Sequence, residues 1–170
     1  YFQESVELVT VDETSGEQRK ITDFGSSGLK PRVIEISADE SRSAYSIKDN
    51  DVWRLMVKRL DAETSEEIAA SKFQFDHFAW HPDGERVIFS NSIEGSYQVF
   101  EAAVGRADPV QISNGNLDFF VQDVSSDGSK ILYGSASETS DLWMIDQQDS
   151  KESVIANDVA AEFWADVSPD

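Results

Sequence analysis

The chain has 170 residues, is 39% hydrophobic and 11% aromatic, and is therefore long and apolar enough to bury a real core. Its 33 acidic and 14 basic residues leave a net charge of −19, a field that repels nucleic acid and anionic membrane alike. It has no cysteine, which excludes disulfides, thiolate metal sites and cysteine nucleophiles, and no apolar run approaches the roughly 20 residues a membrane span needs.

The first elements expected along the chain are a strand over Val6 to Val11, an Asp12 to Gly16 turn and a strand over Gln18 to Ile21. A phrase then appears that recurs. Ser37-Ala-Asp39-Glu-Ser-Arg42 precedes Ser43-Ala-Tyr45, His81-Pro-Asp83-Gly84-Glu-Arg86 precedes Val87-Ile-Phe89, and Ser125-Ser-Asp127-Gly128-Ser-Lys130 precedes Ile131-Leu-Tyr133. A last copy is Ser168-Pro-Asp170. The four aspartates lie 44, 44 and 43 residues apart. A repeat of about 40 to 45 residues is the length of a four-stranded propeller blade.

Within each unit the third residue before the aspartate is apolar: Ile36, Trp80, Val124 and Val167. An apolar stretch, a tight turn and a second apolar stretch make a hairpin, and Asp-Gly supplies the positive φ of its reversal. Asp39 lacks both the Pro and the Gly, and Asp127 lacks the Pro, so these two turns are expected to be looser or of another type. Third strands follow at Val52 to Val57, Tyr97 to Phe100 and Leu142 to Ile145, and short fourth strands near Glu67 to Ala70, Val110 to Ile112 and Val154 to Ile155.

The fold class expected is therefore all-β: a propeller region over residues 1–170 built of about four four-stranded antiparallel blades. The expected divisions are a partial blade at 1–28, blades at about 29–72, 73–116 and 117–159, and a partial blade at 160–170. Tyr1 falls where Tyr45, Phe89 and Tyr133 fall, and the chain stops at a turn aspartate. Two arrangements fit: a closed four-bladed ring, or an arc of a larger propeller, which is the preferred expectation. An open arc exposes sheet edges, so self-association or completion by further blades is expected with it.

The phrase Phe78-Ala-Trp80-His81-Pro82-Asp83-Gly84-Glu85-Arg86, together with Phe163 to Asp170 and the third strand Leu142 to Asp146, resembles the TolB-type, WD-like propeller repeat. Only the Asp83 copy matches closely. The resemblance implies a bacterial, non-catalytic interaction module with no cofactor: a periplasmic binding protein or the sensor region of a regulator. It leans toward a periplasmic or extracytoplasmic address, although the residues themselves fit a cytosolic one equally. It also admits a competing role, the substrate-gating propeller domain of a prolyl-oligopeptidase-type serine peptidase.

The fourth residue before each turn aspartate is Glu35, Ala79, Asp123 and Asp166, on the innermost strand of its blade. Three carboxylates converging on a channel would hold a cation or a basic peptide segment. The plainer alternative pairs them with Arg42, Arg86 and Lys130 as salt bridges. The two histidines, His77 and His81, stand about 13 Å apart on a strand, too far to share a metal ion, and are expected to lie on the surface or line the channel. Trp53, Trp80, Trp143 and Trp164 recur at blade positions and are expected in the core. Asp39, Asp83, Gly84, Asp127, Gly128 and Asp170 are expected as turn scaffolding; no catalytic or metal site is expected, and the partner is a protein or peptide.

Overall fold

A computed structural model of the chain describes residues 7–23, 31–93, 95–106, 108–136 and 140–156. Tyr1, Trp164, Asp166, Val167 and Asp170 lie outside the described residues. Every regular element described is a strand. β1 (Glu7–Val11) and β2 (Gln18–Asp23) form a hairpin. β3 (Arg32–Ile36), β4 (Arg42–Asp49), β5 (Val52–Arg59) and β6 (Ser65–Ser71) form a four-stranded antiparallel sheet in chain order. The same order recurs in β7 (Phe78–Trp80), β8 (Arg86–Ile93), β9 (Ser96–Ala103) and β10 (Val110–Gln111), and again in β11 (Asp118–Val124), β12 (Lys130–Ala136), β13 (Ser140–Asp146) and β14 (Lys151–Ala156). Three four-stranded meanders in succession, each begun by its inner strand, make an arc of a β-propeller.

Strand alternation explains how the blades stack. In the middle sheet Phe78 is paired with Phe89 and Phe89 with Phe100, while Trp80 is paired with Val87 and Val87 with Ala102. Side chains at directly paired positions share a face. That face packs on Ala44, Leu55, Val57, Ile68 and Ala69 of the preceding sheet. The alternate positions Ala79, Ile88 and Val99 point the other way and pack on Phe119, Val121, Val124, Ile131, Tyr133 and Ile145 of the following sheet. A one-residue register slip would exchange the two sets, so the pattern of apolar residues fixes the pairing. Trp80 is buried in the first of these layers, and Trp53 and Trp143 pack partly buried against the first and second.

The β10 strand is shorter than expected and stops at Gln111, although Ile112 still donates its N–H to the Val99 carbonyl at 2.9 Å. Pro109 precedes it and has no N–H with which to extend the ladder.

The three turn copies are alike, which corrects the expectation of looser turns at Asp39 and Asp127. In each, the residue two before the aspartate donates its N–H across the loop: Ser37 to Arg42 O, His81 to Arg86 O, and Ser125 to Lys130 O, at 3.0, 2.9 and 2.9 Å. In each, the residue after the aspartate closes the turn: Glu40 to Ser37 O, Gly84 to His81 O, and Gly128 to Ser125 O, at 2.8, 3.0 and 2.8 Å. Gly84 and Gly128 take φ of +68° and +71°, and Glu40 adopts +54° in the same place. The surrounding hydrogen bonds hold Glu40 in a conformation that costs a residue with a Cβ about 1–2 kcal/mol. Glu40→Gly is therefore expected to raise stability by about 0.5–1 kcal/mol, the relief being partly offset by the greater chain entropy of glycine. Urea denaturation measures this, and an unchanged or lower midpoint would contradict it.

The turn aspartates act as acceptors for the loop. Ser37 Oγ donates to Asp39 at 2.6 Å, and Ser41 adds its Oγ at 2.8 Å and its N–H at 3.1 Å, holding the Asp39 carboxyl at about 2. Asp127 is held at about 2 by the Ser129 N–H at 2.9 Å, then by the Ser125 and Ser129 hydroxyls. Burial would raise Asp83, but the Glu85 N–H at 2.9 Å, Arg86 Nε at 2.6 Å and nearby His81 outweigh it and bring it to about 2. Folded-state values below the ordinary 3.8 mean that these groups stabilise the fold above that pH, and that the contribution disappears as pH falls from about 4 to about 2. Asp127→Asn is expected to lower the urea midpoint at pH 7, with the gap to wild type closing toward pH 2. A gap independent of pH would contradict the assignment.

Candidate functional site

The inner strands β3, β7 and β11 lie side by side, each running into its turn. Near the turn end they enclose a cavity of about 280 Å³ lined by Glu35, Ala79, Trp80, Pro82, Gln122 and Asp123, among others. The Trp80 indole N–H donates to the Glu35 carbonyl at 3.1 Å, which locks β7 against β3. Glu35 and Asp123 therefore contribute to one cavity, with Ala79 at the matched position between them. Asp166 lies outside the described residues.

Glu35 remains open to solvent on one side, but protein crowds its other sides. This loss of hydration raises its pKa, and the nearby Asp123 charge raises it further. Two carboxylates facing one opening form a local negative potential that a cation relieves. Gln122, which no periodicity of the sequence singled out, adds an amide to the same wall.

The two recurring arginines are engaged elsewhere. Ala44, not Arg42, stands opposite Glu35 in the β3–β4 register. Arg42 instead reaches the next blade, donating to the Gly84 carbonyl and lying 3.9 Å from Glu85. Arg86 pairs with Asp83 at 2.6 Å and Glu101 at 2.8 Å. The expected pairing with the channel acids is thus corrected for both arginines: Arg42 stands two residues before Ala44, the partner of Glu35, and Arg86 two residues before Ile88, the partner of Ala79.

The expectation for His81 is also corrected: only 6% exposed, it is buried between blades. Its Nε2 lies 3.3 Å from the Gly128 carbonyl, and the Arg86 guanidinium and Asp83 carboxylate surround the rest of the ring. The imidazole fits because Gly128 has no side chain: a Cβ there would stand 2.4 Å from Nε2. His77 is half-buried against the Phe120 ring at 5.2 Å, and burial lowers its pKa against the opposing pull of Asp76. Among the described residues, no three His, Asp or Glu side chains are grouped to hold a metal ion.

Comparison with models of protein families finds no match, and neither does comparison with curated protein sequences. Solved structures do match. A putative TolB from Agrobacterium tumefaciens superposes with a TM-score of 0.76 at 16% identity, over 96% of this chain and 59% of that one. TolB from Acinetobacter baumannii gives 0.69 at 16% identity, over 88% and 37%. A structure from a study of two prolyl endopeptidases gives 0.68 at 15% identity, over 92% and 27%. The chain thus spans less than two thirds of the length of each. Blade order, inter-blade packing and these superpositions agree that the fold is an arc of a TolB-type β-propeller.

Proposed function

We propose that this region is a non-catalytic binding module that takes a basic segment of a protein or peptide at the channel-side cavity. The observation supporting this reading is the pair Glu35 and Asp123, presented by inner strands of two different blades around one opening. A lysine side chain entering there relieves their mutual repulsion and stays partly hydrated. The likeness in fold to TolB supports an extracytoplasmic site of action.

The test is calorimetric titration with a lysine-rich peptide of about ten residues. The double variant Glu35→Gln, Asp123→Asn is expected to bind at least about tenfold more weakly, the equivalent of about 1.4 kcal/mol. Equal affinity would remove the reading. The same experiment has an internal control for folding. Because the folded state raises the Glu35 pKa, its stabilising contribution is present below the ordinary 4.5 and is lost as pH rises through the folded value. Glu35→Gln should then be at least as stable as wild type at pH 7, so weaker binding by this single variant, titrated beside the double one, cannot be ascribed to unfolding.

The superposition on a prolyl endopeptidase structure supports a second reading, in which the propeller gates substrate access to a hydrolase domain. A nucleophile elbow of the Gly-x-Ser-x-Gly type in the same reading frame would favour it over the first.

A further inference from the structure

At the opposite end of the inner strands four rings form a continuous chain across two blades. Phe73 meets Tyr97 edge-on at 6.4 Å, Tyr97 meets Phe120 at 5.2 Å, and Phe120 meets His77 at 5.2 Å. Phe73 is 45% exposed, and the other three are half-buried. These residues precede or open β7, β9 and β11, whereas the turn aspartates Asp83 and Asp127 follow β7 and β11. The cluster therefore lies on the propeller face away from the turns. Asp118 and Asp123 are five residues apart on β11, so these two carboxylates lie roughly 15 Å apart.

Two carboxylates flank the rings. Asp118 Oδ1 accepts the Tyr97 N–H at 2.7 Å, which ties β9 to the start of β11, and Asp76 accepts from the Gln74 amide. Both raise the pKa of the Tyr97 phenol, after the larger effect of burial, so both charges are felt at that ring. Burial also keeps His77 below its ordinary 6.5, so at pH 7 it is a neutral ring and adds no positive charge. Half-exposed aromatic faces bordered by anionic oxygens complement a flat cation. A guanidinium stacks on a ring while its N–H groups reach carboxylates, whereas an ammonium is a more strongly hydrated point charge and cannot stack.

We propose that the surface formed by Phe73, Tyr97, Phe120 and His77, with Asp76 and Asp118, is a second binding site that receives an arginine side chain of a protein partner. It is independent of the channel-side site. The net charge of −19 favours the approach of basic partners in general, and the aromatic rings supply the selection among them.

The probe is an acetylated, amidated hexaarginine peptide titrated at about 0.15 M salt, where long-range attraction is screened. Hexalysine is the comparison. Hexaarginine is expected to bind at least about fivefold more tightly than hexalysine, and Phe73→Ala and Asp76→Asn each to weaken it about tenfold. Phe73 and Asp76 are exposed, so neither variant disturbs the core, and Phe73→Ala changes no charge, so a non-specific ionic effect would leave it unaltered. The double variant Glu35→Gln, Asp123→Asn should retain the preference for hexaarginine over hexalysine whether or not the channel reading holds. Equal binding of the two peptides, wild-type affinity in both Phe73→Ala and Asp76→Asn, or a loss confined to the Glu35, Asp123 variant would each overturn the proposal.

Discussion

Gly128→Ala is expected to destabilise the protein by about 3 kcal/mol, the sum of about 1–2 for an alanine at positive φ and about 1–2 for overpacking. Its φ is +71°, and the added Cβ would stand 2.4 Å from His81 Nε2 and 2.6 Å from its Cε1. His81 cannot swing away, because Asp83, Arg86 and the Gly128 carbonyl hold it on all sides. Gly84→Ala is the built-in comparison. Its φ is +68°, but the new Cβ meets nothing nearer than the Asp39 carboxylate at 3.8 Å, so only the backbone cost of about 1–2 kcal/mol is expected.

Urea denaturation of the two variants separates these contributions. Adding His81→Ser, which restores the residue found at Ser37 and Ser125, should return the overpacking part of the Gly128→Ala loss. A double-mutant cycle should show coupling of about 1 kcal/mol or more between positions 81 and 128. Equal losses for Gly84→Ala and Gly128→Ala would show that the inter-blade contact carries no energy.

Phe89→Ala is expected to cost about 3–5 kcal/mol, the usual range for removing a fully buried phenylalanine. The ring is 2% exposed and lies between Phe75 at 5.4 Å, edge-on, and Phe100 at 5.6 Å, stacked. It belongs to the layer joining the first and second sheets, so its loss opens a void on both sides of the blade contact. Val154→Ala on the outer strand, where the side chain is 42% exposed, should change stability by no more than about 0.5 kcal/mol. A Phe89→Ala loss below about 1 kcal/mol would mean that the blades are held by their turns and not by this core.

The strands were legible in the sequence because each follows from neighbours in the chain. The unbroken apolar runs Val87 to Phe89 and Ile131 to Tyr133, each following a turn signal, mark strands buried on both faces, and the 44-residue spacing of the aspartates marks a repeat of hairpins. The placement of Glu35 and Asp123 on inner strands was legible for the same reason. What each long polar side chain does was not. Arg42 has the same repeat position as Arg86, yet one crosses to Gly84 of the next blade while the other stays with Asp83 and Glu101. The choice depends on which neighbour comes within reach after the blades have packed.

The turn at Asp39 shows the same limit in the backbone. Its sequence, without Pro or Gly, gives no local reason for the conformation of Gly84 and Gly128, and Glu40 adopts φ +54° because the paired strands and the Ser37 and Ser41 hydrogen bonds determine it. The ring chain from Phe73 to His77 had no signature in the sequence, since its members come from the loop before β7 and from the starts of β9 and β11 and share no period. Sequence by itself determined the all-β repeat, the blade period and the acidic character of the inner strands, because these depend on short-range pattern and composition. Tertiary structure alone decided that His81 fills the space over Gly128, that Arg42 crosses to the next blade, and that rings from two blades meet opposite the turns. Those outcomes depend on distances between residues far apart in the chain, which exist only once one blade has packed on the next.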